Sequence, residues 1–327
     1  MSRWKYIVAF HLLIIGIACS VWAQTTAPSS ETPPDFKMAF IGDQGLGKDA
    51  EEVLRLIKSE GAQAIVHLGD FDHTDNPAAW DAQINNILGA DFPYFACVGN
   101  HDAKKWYGEF GYQYYLKNRL NRLKIEWNGD LGVKSSIQYK GIFIVLISPG
   151  IMENRHSVYI RDQLAADKSL WRICSWHENM KLMQVDGKKD ETGWDVYEEA
   201  RKGGAIIATA HDHSYARTYL MSNFINQTIA SQSNTLNIEK GKTFAFISGL
   251  GGASIYPQEI DGPWWAKIYT SNQHATYGAL FGVFNDSGVP NKSTFYFKNI
   301  KGEIVDRFDV ISNVHSNANA AQKRPSQ

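Results

Sequence analysis

The chain has 327 residues, of which 33 are basic and 34 acidic, giving a net charge of −1 with its histidines neutral. Hydrophobic residues at 44% and charged ones at 20% exclude gross disorder, and the near-neutral balance excludes nucleic acid or an anionic membrane surface as the main partner on electrostatic grounds. A chain this long buries enough apolar surface to fold without a disulfide framework.

Arg3 and Lys5 precede an apolar run from Ile7 to Ala18 and then Val21-Trp22-Ala23. Positive charge, a short apolar core and a small residue at the cut predict a secretory signal over residues 1–23, and with it a secreted or periplasmic protein. The run falls short of the ~20 residues a bilayer span needs, which argues against an uncleaved anchor and a stable membrane span. A lipid anchor on Cys19 is the lesser alternative, because Gly16-Ile17-Ala18 before it matches a lipoprotein box poorly. Residues 24–36, rich in Thr, Ser and Pro, read as a flexible leader. The catalytic domain is expected over 37–312, followed by a polar, disordered tail at 313–327.

From Lys37 strands and helices alternate. Met38 to Ile41 is a strand ending in Gly42-Asp43. Asp49 with Glu52 predicts a capping box opening a helix that buries Val53, Leu54 and Ile57 and stops at Gly61. Ala64 to Leu68 is a second strand ending in Gly69-Asp70, and Asn76-Pro77 opens a helix whose Trp80, Ile84, Ile87 and Leu88 face inward. Tyr94 to Val98 is a third strand, ending in Gly99-Asn100-His101-Asp102. Short joins in this alternation imply right-handed crossovers and a parallel sheet.

Aromatics from Trp106 to Tyr115 read as core on a helix or loop, and Gly129-Asp130 as a turn. Ile142 to Ile147, Arg172 to Trp176 and Ala205 to Thr209 are further apolar strands, with a helix around Trp194 to Arg201 that Gly203 ends. Four more strands (Thr243 to Ser248, Leu280 to Phe284, Thr294 to Phe297 and Ile304 to Val310) suggest a second, partly antiparallel sheet. Cys97 and Cys174 lie in apolar strands, as buried thiols or as a bridge.

The chemistry gathers at strand ends. Five apolar strands finish in residues able to bind metal: Asp43, Asp70, Asn100 with His101, His177, and His211 with His213. Ligand sites in open α/β sheets lie at the carboxyl ends of strands, so these groups can meet in one crevice. Each motif alone is weak, since Gly-Asp is commonly a turn and a lone His commonly a core residue. Their conjunction carries the weight.

That order resembles the calcineurin-like metallophosphoesterase superfamily over about Met38 to Tyr215, with Ser248-Gly249-Leu250-Gly251-Gly252 as a later family turn. Within it, His211-Asp212-His213-Ser214-Tyr215-Ala216-Arg217 is similar to the Gly-His-x-His-x-Tyr-Glu-Arg segment of purple acid phosphatases, with Ala210 for Gly and Ala216 for Glu. Gly69-Asp70-Phe71-Asp72-His73-Thr74-Asp75 resembles their Gly-Asp-x-x-Tyr-x-Asp, with His73 at the tyrosine position.

The resemblance implies an α/β protein, a four-layer α/β/β/α sandwich of two mixed sheets flanked by helices, that hydrolyses phosphoric esters with two metal ions. By it Asp43, Asp70, His213 and His73 hold one ion, and Asp70 bridges to a second completed by Asn100, His177 and His211. His73 is either a ligand or a rim residue beside a water. Without the tyrosine the protein should not be purple. Carboxylate, amide and imidazole donors together suit Fe, Zn or Mn better than Ca or Mg. His101 is expected to protonate the leaving oxygen, with Asp102 orienting its ring or else capping a helix. Tyr215 and Arg217 are expected to pack or hydrogen-bond behind the metal histidines. The leading reading is a phosphomonoesterase acting on a small-molecule phosphate ester. The alternatives are a phosphodiesterase or nucleotidase on the same core and a binding protein that keeps the fold without catalysis.

Overall fold

Three short apolar segments, β1 (Phe36–Ile41), β2 (Ala64–His67) and β3 (Tyr94–Ala96), pair in parallel through helices α1 (Lys48–Ser59) and α2 (Pro77–Ile87) in the computed structural model, which describes Met1 and residues 31–315. The expected signal segment lies outside the described residues apart from Met1. The Asn76 Oδ1 accepts the Ala79 N–H at 3.2 Å, capping α2 as its sequence predicts, and Leu88 falls just past the helix end. The capping box expected at Asp49 does not form. Helix α1 starts after Gly47 with no side-chain cap, which leaves Asp49 and Glu51 in the first turn to complement the helix dipole.

Helix α3 (Tyr112–Leu123) follows β3 and buries Tyr112, Leu116 and Leu120. Then come β4 (Asn128–Asp130), β5 (Lys134–Tyr139), β6 (Ile142–Ile147), α4 (His156–Ala166), β7 (Trp171–Ser175), α5 (Trp194–Lys202) and β8 (Ile206–Thr209). The last third holds β9 (Tyr215–Thr218), β10 (Leu220–Asn223), β11 (Thr228–Ser231), β12 (Thr235–Ile238), β13 (Ala245–Ser248), β14 (Trp265–Tyr269), β15 (Gly278–Phe284), β16 (Lys292–Asn299) and β17 (Ile304–Ser312).

Two mixed sheets result, one ordered β12-β17-β16-β15-β1-β2-β3 and the other β14-β9-β13-β8-β7-β6-β5-β4, with β10 and β11 as a separate hairpin. Their inner faces share one core, in which Phe40 of the first sheet meets Phe246 of the second edge-on at 5.3 Å. Helices α1 to α3 pack with the first sheet, and α4 and α5 cover the second through Val145, Ile147, Ile160, Val196 and Tyr197. This is the expected four-layer sandwich.

The last third differs from expectation. Its strands do not build one sheet: β15, β16 and β17 extend the first, while β13 inserts between β8 and β9 of the second. The open edge of β1 needs hydrogen-bond partners, and β15 supplies them antiparallel, with Phe40 opposite Leu280. Gly129-Asp130 is a short edge strand, β4, rather than a turn. Gly129 is required there, because a Cβ would sit 2.3 Å from the Lys134 carbonyl oxygen.

Cys97 and Cys174 are buried and unbridged. The described end of the leader is docked rather than loose: the Asn285 side chain donates to the Thr32 carbonyl at 2.7 Å, and Asp35 N–H donates to the Asn285 carbonyl at 3.1 Å. The start of the tail is likewise held, with Asn313 N–H donating to the Ile238 carbonyl at 2.8 Å. No helix among the described residues is long and apolar enough to cross a membrane.

Candidate metal centre

Parallel strands deliver the site. Asp43, Asp70 and Asn100 follow β1, β2 and β3 of the first sheet, and His177 and His211 follow β7 and β8 of the second. Asp43, Asp70, His73 and His211 all hold left-handed backbone, with φ of 54°, 59°, 56° and 71°. Such strain at four donors of one site turns their side chains back across the strand ends. The approach leaves no room for extra atoms: a Cβ on Gly69 would lie 2.6 Å from His177 Nδ1, and one on Gly99 would lie 2.1 Å from Asp70 Oδ1.

Among the described residues, three groups have ligand atoms within 4.8 Å of one another: the largely buried triads Asp43, His73 and His213, and Asp70, His177 and His211, and a third in which the exposed His101 joins Asp70 and His73. Asp70 links the two largely buried triads, because its Oδ2 lies 3.1 Å from His177 Nε2 and 3.4 Å from His73 Nε2. Asp43 Oδ1 is 3.4 Å from His213 Nε2, and Asn100 Oδ1 is 3.1 Å from His177 Nε2. Asp43 Oδ1 and His73 Nε2 are buried with no hydrogen-bond partner. Orphaned polar atoms of this kind are costly unless a cation satisfies them, so the residues fit metal ions. His73 thus lies among the donors, its Nε2 turned inward.

Burial and charge set the protonation states. Burial alone would lower the His177 pKa, but Asp70 and then Asp43 raise it to about 9. Burial lowers His211 to about 2 and His213 to about 3, so both rings are neutral and able to ligate. Burial raises Asp70 but the charge of His177 outweighs it, holding that carboxyl below the usual range.

Each ring is aimed by a partner on its other nitrogen. His177 Nδ1 is 2.8 Å from the Leu68 carbonyl, His73 Nδ1 is 2.8 Å from the Gln44 carbonyl, and His213 Nδ1 is 2.5 Å from Ser254 Oγ. His211 Nε2 contacts Glu191 Oε2 at 2.8 Å, leaving its Nδ1 3.2 Å from His177 Nε2. Such partners fix tautomer and ring orientation and raise ligand basicity. Sequence reading missed Glu191 and Ser254. Both sit in irregular loops, and only the glycine run before Ser254 marks the neighbourhood.

Asp102 requires a correction. It neither orients the His101 ring nor caps the short helical turn after it with its side chain. Its fully buried carboxylate accepts the N–H groups of Asp70, Gly99 and Phe71, each at 2.8 Å, and so ties the loop after β2 to the loop after β3. His101 is exposed, its N–H donating to Asp70 Oδ1 at 3.0 Å and its ring 4.5 Å from that of His73. Tyr215 and Arg217 do not bond to the metal histidines. Both reach Asp306 on β17, at 2.8 Å and 2.7 Å, and bolt the two sheets together.

Residues 36–215, more than half the chain, match the calcineurin-like phosphoesterase family. The chain belongs to that family. It is accordingly a metallophosphoesterase, a hydrolase whose clustered Asp and His side chains serve metal ions. No curated protein matches the chain. Among solved structures it is similar to purple acid phosphatase PPD1 from yellow lupin (Lupinus luteus) seeds, with 16% identity, a TM-score of 0.65, and coverage of 89% of this chain and 56% of that one. It is also similar to GAP50, the anchor in the inner membrane complex of Plasmodium, at 13% identity and a TM-score of 0.56, covering 88% and 93%. PhoD matches at 13% identity with a TM-score of 0.53, covering 88% and 74%. At these identities the likeness is one of fold. The chain spans little more than half the length of the lupin enzyme.

Proposed function

We propose that this metallophosphoesterase is an exported phosphomonoesterase with a two-metal centre of Fe, Zn or Mn. The observation that carries this reading is Asp70, whose single oxygen Oδ2 faces a histidine of each triad. Asp43, His73 and His213 with Asp70 would hold one ion, and Asp70, Asn100, His177 and His211 the other. Bound there, such ions polarise phosphoryl oxygens and lower the pKa of water to about 7. A shared carboxylate offsets the repulsion between two neighbouring cations.

The protein's own part is to place and protonate the ester. His73, Asn100 and His101 line a cavity of about 370 Å³ with Thr74, Asp75 and Lys104, sized for a small ester. His101 stands at that opening with an exposed ring, free to give its proton to a leaving alkoxide. A binding role on the same fold needs no donors, and the full donor set here favours catalysis. Export is supported by Arg3, Lys5 and the apolar run from Ile7 to Ala18.

Release of 4-nitrophenol from 4-nitrophenyl phosphate and from bis(4-nitrophenyl) phosphate, with elemental analysis of the same preparation, tests the reading. The monoester is expected to turn over at least about tenfold faster, with about two ions bound per chain. The reverse preference would make the protein a diesterase. N-terminal sequencing of exported protein is expected to begin after Ala23.

A further inference from the structure

The loop between β7 and α5 carries a lysine the metal donors do not need. Lys188 keeps 27% of its side chain exposed; its ammonium donates to the His211 carbonyl and lies 3.3 Å from Asp186 Oδ2. It also sits 5.0 Å from the centre of the Tyr256 ring. Tyr256 in turn stacks flat on His213, with ring centres 4.2 Å apart and planes 6° from parallel, and its N–H donates to the His213 carbonyl at 3.0 Å. The ammonium is therefore fixed beside His211 of one triad and, through Tyr256, beside His213 of the other.

A fixed ammonium is a poor neighbour for metal ions, because like charges repel strongly in a site with little water. Asp186 faces it through Oδ2 alone, its Oδ1 accepting the Lys188 backbone N–H at 3.1 Å. An ammonium has three donors, and the His211 carbonyl uses one. An anion arriving at the metal donors would take up the rest. We propose that Lys188 is a substrate-binding residue that donates to a phosphoryl oxygen of the ester held at the metal centre. This rests on the phosphatase reading above and adds a cation to it from a loop whose sequence carries no phosphate-binding motif.

The test uses metal-loaded wild type, Lys188→Gln and Lys188→Arg, with elemental analysis, inorganic phosphate binding by calorimetry, and the kinetics of 4-nitrophenyl phosphate. Lys188→Gln is expected to keep the wild-type metal content while binding inorganic phosphate about tenfold more weakly, the size of one charge-assisted hydrogen bond. KM should rise by a similar factor, and Lys188→Arg should recover much of the loss. Phosphate binding by Lys188→Gln within twofold of wild type overturns the proposal. So does loss of metal from that variant, which would make Lys188 a tether for the His211 loop. Wild type that binds phosphate through Lys188 but hydrolyses no monoester would refute the monoesterase reading and leave this one standing.

Discussion

Glu191 Oε2 lies 2.8 Å from His211 Nε2, on the side of the ring away from His177. The carboxylate holds the proton on Nε2 and so presents Nδ1 as the metal donor. Glu191→Ala should weaken metal binding by roughly 10–100-fold in a chelator competition titration. Turnover should fall mainly when metal is limiting and recover in excess metal. Unchanged affinity would show that His211 needs no such partner.

Asp70 belongs to the triad with His177 and His211 and its Oδ2 also faces His73 of the other triad, whereas His73 contributes one nitrogen to the Asp43 group and to that Asp70 oxygen. Elemental analysis of Asp70→Ala should therefore find both ions lost, with activity at background. His73→Ala should keep one ion, the one held by His177 and His211. Equal metal loss in the two variants would mean the sites fill only together.

The three N–H groups on Asp102 make it a brace for the donor loops, distinct in role from His101. Asp102→Asn replaces one acceptor oxygen by a donor and should destabilise the fold by about 1–3 kcal/mol, read by chemical denaturation. Its effect on aryl and alkyl phosphates should be equal. His101→Ala should leave an activated aryl phosphate nearly untouched and slow an alkyl phosphate by ~10²–10⁴.

Proton and metal compete at His177. Burial lowers its pKa, but Asp70 and Asp43 raise it to about 9 in the metal-free chain. A folded-state value above the unfolded ~6.5 stabilises the metal-free protein below pH 6.5. That contribution is lost as pH rises through about 9. Metal binding at pH 7 should release a proton from this ring, and the apparent affinity should climb until about pH 9. Calorimetry in buffers of different ionisation enthalpy measures the proton count directly, and a count independent of pH from 7 to 9 would contradict the assignment.

Away from the site, Asp306 accepts from Arg217 at 2.7 Å and from Tyr215 at 2.8 Å in the space between the sheets. Asp306→Ala leaves a buried guanidinium unpaired and should cost about 3–5 kcal/mol in denaturation experiments. A loss below about 1 kcal/mol would show that water reaches Arg217.

The order of donors was legible without coordinates because each is attached to a local signal. A run of apolar residues ends and a donor stands where the strand must finish: Asp43, Asp70 and Asn100 each after a glycine, His177 after Trp176 and His211 after Ala210. Periodicity also placed α2 through Asn76 and Pro77, since capping is a matter of three or four neighbouring residues.

Contacts between distant loops left no such trace. Asp102 looked like a partner for the adjacent His101, yet it takes the N–H groups of Asp70 and Phe71 some thirty residues away. Glu191 and Lys188 lie in a loop with no period, and only the packing of that loop against His211 gives them a role. β15 paired with β1 because an open strand edge must find hydrogen bonds, and which strand fills it is settled by the closing of the whole sheet. Side chains near in sequence were thus readable from local stereochemistry, while the groups that aim, brace and charge the metal centre depended on how its two sheets came together.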